Sequence, residues 1–455
     1  MIYNNSCNEN VSICGEYAIV VSKPGLNASK EDVLFYANDL FSRFKIGNNE
    51  MKKKGLVCFY ELIQENDKFL RVAMEEVEGF GYALIEFLGL KDVGIQDEVL
   101  KSLDIICGFV EYRKGLVGNG LVAPLVRVLE SGSCLGKSLC CMCLMKCTAG
   151  GENAWAVSAH GGVTSLLRIC ASEGGNGGEL VGLACGVLKN VVGVKEIKRF
   201  IVEEGALTIF VNLVKSRNEV CQISAMEFLQ ATAFEDQVVT NLVVDEGGIR
   251  VLVHVLDPNS SFSSKTRETS IRAITSLCLD LTRLNSLVSC GFIDYILYYL
   301  RNGEVSVQEA SLKAAFWLSG ISDDLKKAMG EAGFMQELAK FVAAKSFEVR
   351  EMAIQTLSKL ISIPKNRKRF VENDQNVSLL MQSIDQEEGT SSHKKLLLPV
   401  IMSLSGCTSG RKKILNSGYL KNIEKLADEQ VSDARKIVRN LSSNRIARMI
   451  KGIWH

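Results

Sequence analysis

The stretch Glu203–Val214, EEGALTIFVNLV, places a glycine before an apolar pattern with Leu207, Phe210, Val211 and Val214 at i, i+3, i+4 and i+7. That spacing predicts an amphipathic helix opened by the glycine. Three other stretches read alike: AHGGVTSLLRIC from Ala159, DEGGIRVLVHVL from Asp245 and EAGFMQELAKFV from Glu331. Taking one residue of each phrase as a landmark gives Gly79, Gly120, Gly162, Gly205, Gly248, Gly291, Gly333, Asn376 and Gly418, separated by 41 to 43 residues. Asn at the eighth landmark fits, because Asn tolerates the left-handed backbone that glycine adopts without strain. Five residues after the landmarks stand Leu84, Leu125, Leu167, Phe210, Val253, Ile296, Leu338, Met381 and Ile423. Eight residues after stand Phe87, Val128, Cys170, Leu213, Leu256, Tyr299, Phe341, Ile384 and Leu426. All are apolar or aromatic, so the period is a property of the chain and not of one segment.

Three helical pieces fill one period. KEIKRFIVEE ends at Gly205, ALTIFVNLVKS follows, and EVCQISAMEFLQATAF is apolar on more than one side, as a helix buried between neighbours must be. No single repeat can cover its own apolar face, so each must stack on the next. The variable stretches SEGGNGGE from Ser172 and DPNSSFSSKTRE from Asp257 fall between second and third helices and read as solvated loops. Residues 1–30 read as an irregular segment, 31–441 as the array, and 442–455 as a basic amphipathic tail.

A 42-residue period, a glycine after a short first helix and LACGVLKNVVG in a third helix resemble armadillo repeats. APLVRVLESGS, NAWAVSAHGGV, VEEGA, SSFSSKTRE, RNGEVSVQE, KSFEVRE and SNRIARMIKGIWH are similar to a plant group of armadillo-repeat proteins. The resemblance implies an all-α, right-handed superhelical solenoid of about nine three-helix repeats, whose third helices line a groove for extended peptides or helical partners. In that family an asparagine late in the third helix holds the partner's backbone. Here Asn190 matches it, while the equivalent positions carry Ile105, Lys146, Ala231, Ser276, Gly320, Lys359 and Ser403. One asparagine is not a ladder, and Gly186 replaces the tryptophan that nuclear-import receptors place one turn earlier, so a nuclear-localisation-signal receptor is not expected.

Composition narrows the classes further. The 455 residues are 47% hydrophobic and 7% aromatic with only 5 prolines, which favours a helical chain with a large core. Formal net charge is +1, yet residues 364–455 hold 17 Lys and Arg against 9 Asp and Glu, so the remainder is net negative. Seven residues before the landmarks stand Arg113, Lys198, Lys326, Arg369 and Arg411, with Lys412 beside the last. This strip is read either as a solvated helix face or as a surface for an acidic protein segment. No base-reading or stacking residues accompany it, so specific nucleic-acid binding is not expected. Near the C-terminus, Ala434, Ile437, Val438 and Leu441, then Ile446, Met449, Ile450 and Ile453, form two apolar stripes, with Arg445, Arg448 and Lys451 among them. They read as a cap over the last repeat or as a basic amphipathic helix.

Catalytic signatures are missing from the sequence. It has no phosphate loop, dinucleotide fingerprint, zinc-protease histidine pair or nucleophile elbow, and only four histidines. The cluster CLGKSLCCMCLMKC, Cys134–Cys147, sets Cys140, Cys143 and Cys147 on one helix face, where cysteine serves as a small core hydrophobe. No cofactor or metal is expected. Apolar runs fall short of the roughly 18–20 residues that span a bilayer. The expectation is a non-catalytic, monomeric protein-interaction scaffold or adaptor, cytoplasmic and/or nuclear. The alternative is a substrate-recognition component working with a separate ubiquitin ligase.

Overall fold

The computed structural model describes residues 22–25, 27–172, 178–277, 287–385, 391–429 and 431–452. Helices dominate, and no strand occurs among the described residues. The chain divides into two compact units, 1–169 and 170–455.

The first described helix of the first unit is Lys30–Ile46, where Ser29 and Asp32 form a reciprocal capping box. Its C-terminal half meets an aromatic cluster, in which Phe44 lies 5.2 Å from Phe87 and Phe59 lies 5.0 Å from Phe80 between ring centroids. Gly55 admits Phe44 closely, since a Cβ there would stand 3.0 Å from the ring. The helices Asn49–Glu65, Val93–Cys107 and Cys134–Cys147 pack one on the next.

In the second unit the long helices Gly178–Val191, Glu219–Ala233, Ser264–Leu277, Val305–Leu318, Phe347–Ile361, Ser391–Ser405 and Ser432–Gly452 pack in the same consecutive way. Between them run pairs of shorter helices, as in Lys195–Glu203 followed by Ala206–Leu213. Gly205 joins that pair with φ of 80°, a left-handed conformation that a side chain would strain. Phe210 then stacks on Phe228 of the following long helix at 3.7 Å and 17°. Burying two such rings contributes roughly 1.5–3 kcal/mol each.

Polar contacts repeat at about one period. Lys146 reaches Asp104, 42 residues earlier, and Tyr112 donates to Glu75 across 37. In the second unit Tyr299 donates to the Leu256 carbonyl across 43 residues, and Asn366 to the Lys326 carbonyl across 40. Every residue five positions after a landmark is buried, from Leu84 to Ile423. Seven of the nine at position eight are buried as well, with Phe341 and Leu426 half-buried.

Three local expectations need correction. The left-handed glycines are Gly161 and Gly247, not Gly162 and Gly248, which already lie in the first turn of their helices. Asn376 is helical, not left-handed. The chain turns at Asn373 instead, whose side chain accepts from the Gln375 N–H, and the buried Asn376 amide donates to the Phe370 carbonyl. The loop from Asp257 is not simply solvated: Arg267 ties it down by donating to the carbonyls of Asp257 and Ser260. The variable stretch near 173–177 lies outside the described residues. Ser432–Gly452 is one continuous helix, with Ala434, Ile437 and Leu441 buried. The second apolar stripe, with Arg445, Arg448 and Lys451, has side chains outside the described residues.

Candidate binding surfaces

Asn190 stands half-buried in the last turn of Gly178–Val191. Beside it a chain of alternating charge crosses three consecutive long helices. Lys189 meets Glu227 at 2.9 Å, Arg272 lies 3.9 Å from Glu227 and 3.7 Å from Glu268, and Lys265 closes on Glu268 at 3.1 Å. Opposite charges here neutralise one another, which leaves this face little net field for a charged ligand.

The candidate basic strip resolves into residues with separate local duties. Arg369, on Pro364–Glu372, lies 3.1 Å from Glu331 of Asp323–Ala332, and Lys365 approaches the same carboxylate oxygen at 2.7 Å. These two cations hold the Glu331 carboxyl below the usual range. Arg411, on Thr408–Asn416, turns instead to the Ser405 carbonyl, six residues back at 3.4 Å. Arg113 treats the Cys107 carbonyl the same way at 3.1 Å, as Arg367 does Ile361 at 3.3 Å. A guanidinium in the first turns of one helix thus satisfies an end carbonyl of the helix before it, a group that has no intrahelical donor. Lys198 pairs with Asp236 and Lys326 with Asp323. Arg369 and Arg411 thus share a register but have different partners, a carboxylate for one and a helix-end carbonyl for the other.

Lys412 differs from them. It is exposed, and no carboxylate lies within ion-pairing distance of it among the described residues. It borders a cleft of about 640 Å³ with Ser378, Ser409, Asn416 and Ser417; Lys413 and Asp374, which pair at 2.6 Å, line the same cleft. Hydroxyl and amide groups around one uncommitted ammonium make a wall suited to a negatively charged side chain.

The cysteine cluster sits in the core. Cys107, Cys140, Cys141, Cys143 and Cys147 are buried as free thiols, while Cys134 is exposed. A hydrogen bond with Cys107, together with burial, pushes the Cys147 thiol far above its usual range. Burial does the same to Cys140. Thiols so placed pack as hydrophobes and resist ionisation. Among the described residues, no group of three or more His, Cys, Asp or Glu side chains is arranged to hold a metal ion.

One arrangement escaped the sequence reading. Lys359, in the register of Asn190, extends over the ring of Phe316 on the preceding long helix, with its ammonium 3.6 Å from the centroid. The two residues are one period apart, and nothing local in either segment announces the pairing.

No protein-family model matches this chain, and no curated protein does either. Among solved structures, it is similar to an engineered protein determined by a structural-genomics consortium. That likeness has a TM-score of 0.71 at 23% identity and covers 90% of this chain and 98% of the other. At that identity it speaks to the fold alone, an all-helical, repeat-like solenoid. No described helix is long and apolar enough to cross a membrane.

Proposed function

We propose that this chain is an armadillo-type repeat array serving as a non-catalytic scaffold or adaptor for a protein partner, in the cytoplasm and/or nucleus. The partner segment is acidic and engages the basic C-terminal part of the array. The observation that carries this reading is Lys412, an exposed ammonium with no carboxylate in ion-pairing distance among the described residues, at the rim of a polar cleft. It lies within the only strongly basic fifth of a chain that is otherwise net negative. Arg411, near the start of the helix that carries Lys412, donates to the Ser405 carbonyl, and Arg369 pairs with Glu331, so both act indirectly in this reading.

The test is capture of partners from native extract at low salt by the intact chain and by Lys412→Glu. Charge reversal should reduce the bound partner several-fold, with the difference fading as salt rises. The melting temperature should not move, because Lys412 is solvated. An unchanged set of partners at low salt would refute the cleft as the binding surface. Recovery of ubiquitin-ligase subunits with the bait would instead favour the substrate-recognition alternative.

A further inference from the structure

We infer that Lys359, Phe316 and the exposed backbone at Gly320 form a subsite for one carboxylate side chain, Glu or Asp, of an acidic partner segment. The inference rests on the reading of the chain as a protein-binding scaffold, but it names a different surface from the Lys412 cleft. It lies on the long helices Val305–Leu318 and Phe347–Ile361, which pack side by side in the second unit.

Lysines late in the long helices normally find an acid within the chain. Lys146 takes Asp104, and Lys189 takes Glu227. Lys359 does not: no carboxylate comes within ion-pairing distance of it among the described residues. The charged neighbour that acts on it is Lys326, and that lysine is itself paired with Asp323. Its ammonium rests on the face of Phe316, where the ring quadrupole attracts it. On another side stands Gly320, exposed and without a side chain; a Cβ there would lie 3.7 Å from the Lys359 Nζ. The cation is thus held in place by an aromatic floor and left open where a side chain would cover it.

Half-burial, and then the charge of Lys326, make this ammonium easier to deprotonate than an ordinary lysine. An incoming anion relieves both costs, which is what a preorganised cationic subsite requires. A carboxylate suits it better than a phosphate. A phosphate presents more charge and calls for several donors, often guanidinium forks. The nearby guanidinium of Arg367 is already spent on the carbonyls of Ile361, Ser362 and Ser403.

The probe is an end-capped, fluorescein-labelled hexaglutamate peptide, titrated against the full chain by anisotropy at about 50 mM salt. Lys359→Gln should weaken binding about five- to tenfold, and Lys359→Arg should restore most of it. Circular dichroism melting controls for folding. Acylation of Lys359 by acetic anhydride, mapped by mass spectrometry, should slow when the peptide is bound. Three results overturn the subsite: no binding of hexaglutamate, equal binding by Lys359→Gln, or clear preference for a phosphoserine peptide of the same length. Lys412→Glu is measured in parallel. Loss of binding there with no effect of Lys359→Gln refutes this subsite while leaving the cleft reading intact.

Discussion

Gly330 lies flat against Asn366. A Cβ on Gly330 would stand 2.1 Å from Asn366 Oδ1, although the two residues sit on different short helices, Asp323–Ala332 and Pro364–Glu372, with two helices between them in the chain. Asn366 is fully buried, and its amide donates to the carbonyls of Lys326 and Leu360 at 2.7 and 3.1 Å. The close approach lets one amide serve two helices at once. Gly330→Ala should therefore destabilise the second unit by about 1–3 kcal/mol through overpacking. The penalty should be less than additive with Asn366→Ala, because the second change removes the atom the first one meets. Urea unfolding of the single and double variants measures this. Strict additivity would show that the two side-chain positions do not touch.

Glu331 supplies a pH-dependent prediction. Hydrogen bonds and charge from Lys365 and Arg369 lower its pKa below the ordinary 4.5. A depressed carboxyl contributes stability that is present above the unfolded pKa and is lost as pH falls through the folded value. Glu331→Gln should thus lower the melting temperature slightly at neutral pH and low salt. The difference should close as pH drops below 4.5, and also in high salt, since the group is exposed. A difference that persists at pH 3 would assign the effect to packing and not to charge.

Thiol labelling addresses the cysteine cluster. Cys134 is exposed, whereas Cys107, Cys140, Cys141, Cys143 and Cys147 are buried, and the shifts of Cys107, Cys140, Cys143 and Cys147 all run against ionisation. Since the thiolate is the nucleophile, iodoacetamide at pH 8 should modify Cys134 in the native chain and spare the others until denaturant is added. Peptide mapping reads the outcome directly. Rapid native labelling of Cys140 or Cys143 would mean that this helix is not packed as described.

Much of the fold was legible because its determinants are periodic and local. Leu84 through Ile423 are buried at one fixed distance after each landmark, and that regularity appears in the sequence alone. The left-handed turns were legible to within one residue, since Gly161–Gly162 and Gly247–Gly248 offer two glycines and only backbone geometry chooses between them. Asn376 misled for a physical reason: asparagine fits a left-handed turn, but here Asn373 makes the turn and the Asn376 amide donates back to the Phe370 carbonyl from inside the helix. The binding surfaces were much less legible. Whether a lysine is neutralised depends on a carboxylate about one period away, as Lys189 with Glu227 and Lys359 with none among the described residues make plain. Spacing along the chain carries no record of which rotamer meets which neighbour.

Tyr299 offers a test of how tightly successive repeats are joined. Its hydroxyl donates to the Leu256 carbonyl at 2.9 Å across 43 residues, in a buried setting. Leu256 is at the C-terminal end of Gly248–Val255, where carbonyls lack intrahelical partners, so the tyrosine supplies a donor that the helix itself cannot. The Arg267 guanidinium lies 5.6 Å from the same ring while its own donors hold the loop carbonyls of Asp257 and Ser260. Two side chains thus connect a helix end, a loop and the next repeat. Tyr299→Phe keeps the ring and deletes only the hydroxyl, leaving a buried carbonyl without its donor at a cost of about 1–3 kcal/mol. Hydrogen exchange should show faster opening at the N–H groups of Gly248–Val255 and of the segment following it, with Asn49–Glu65 in the first unit unchanged. Uniform acceleration across both units would point to global destabilisation, and no change at all would mean that the Leu256 carbonyl finds another donor.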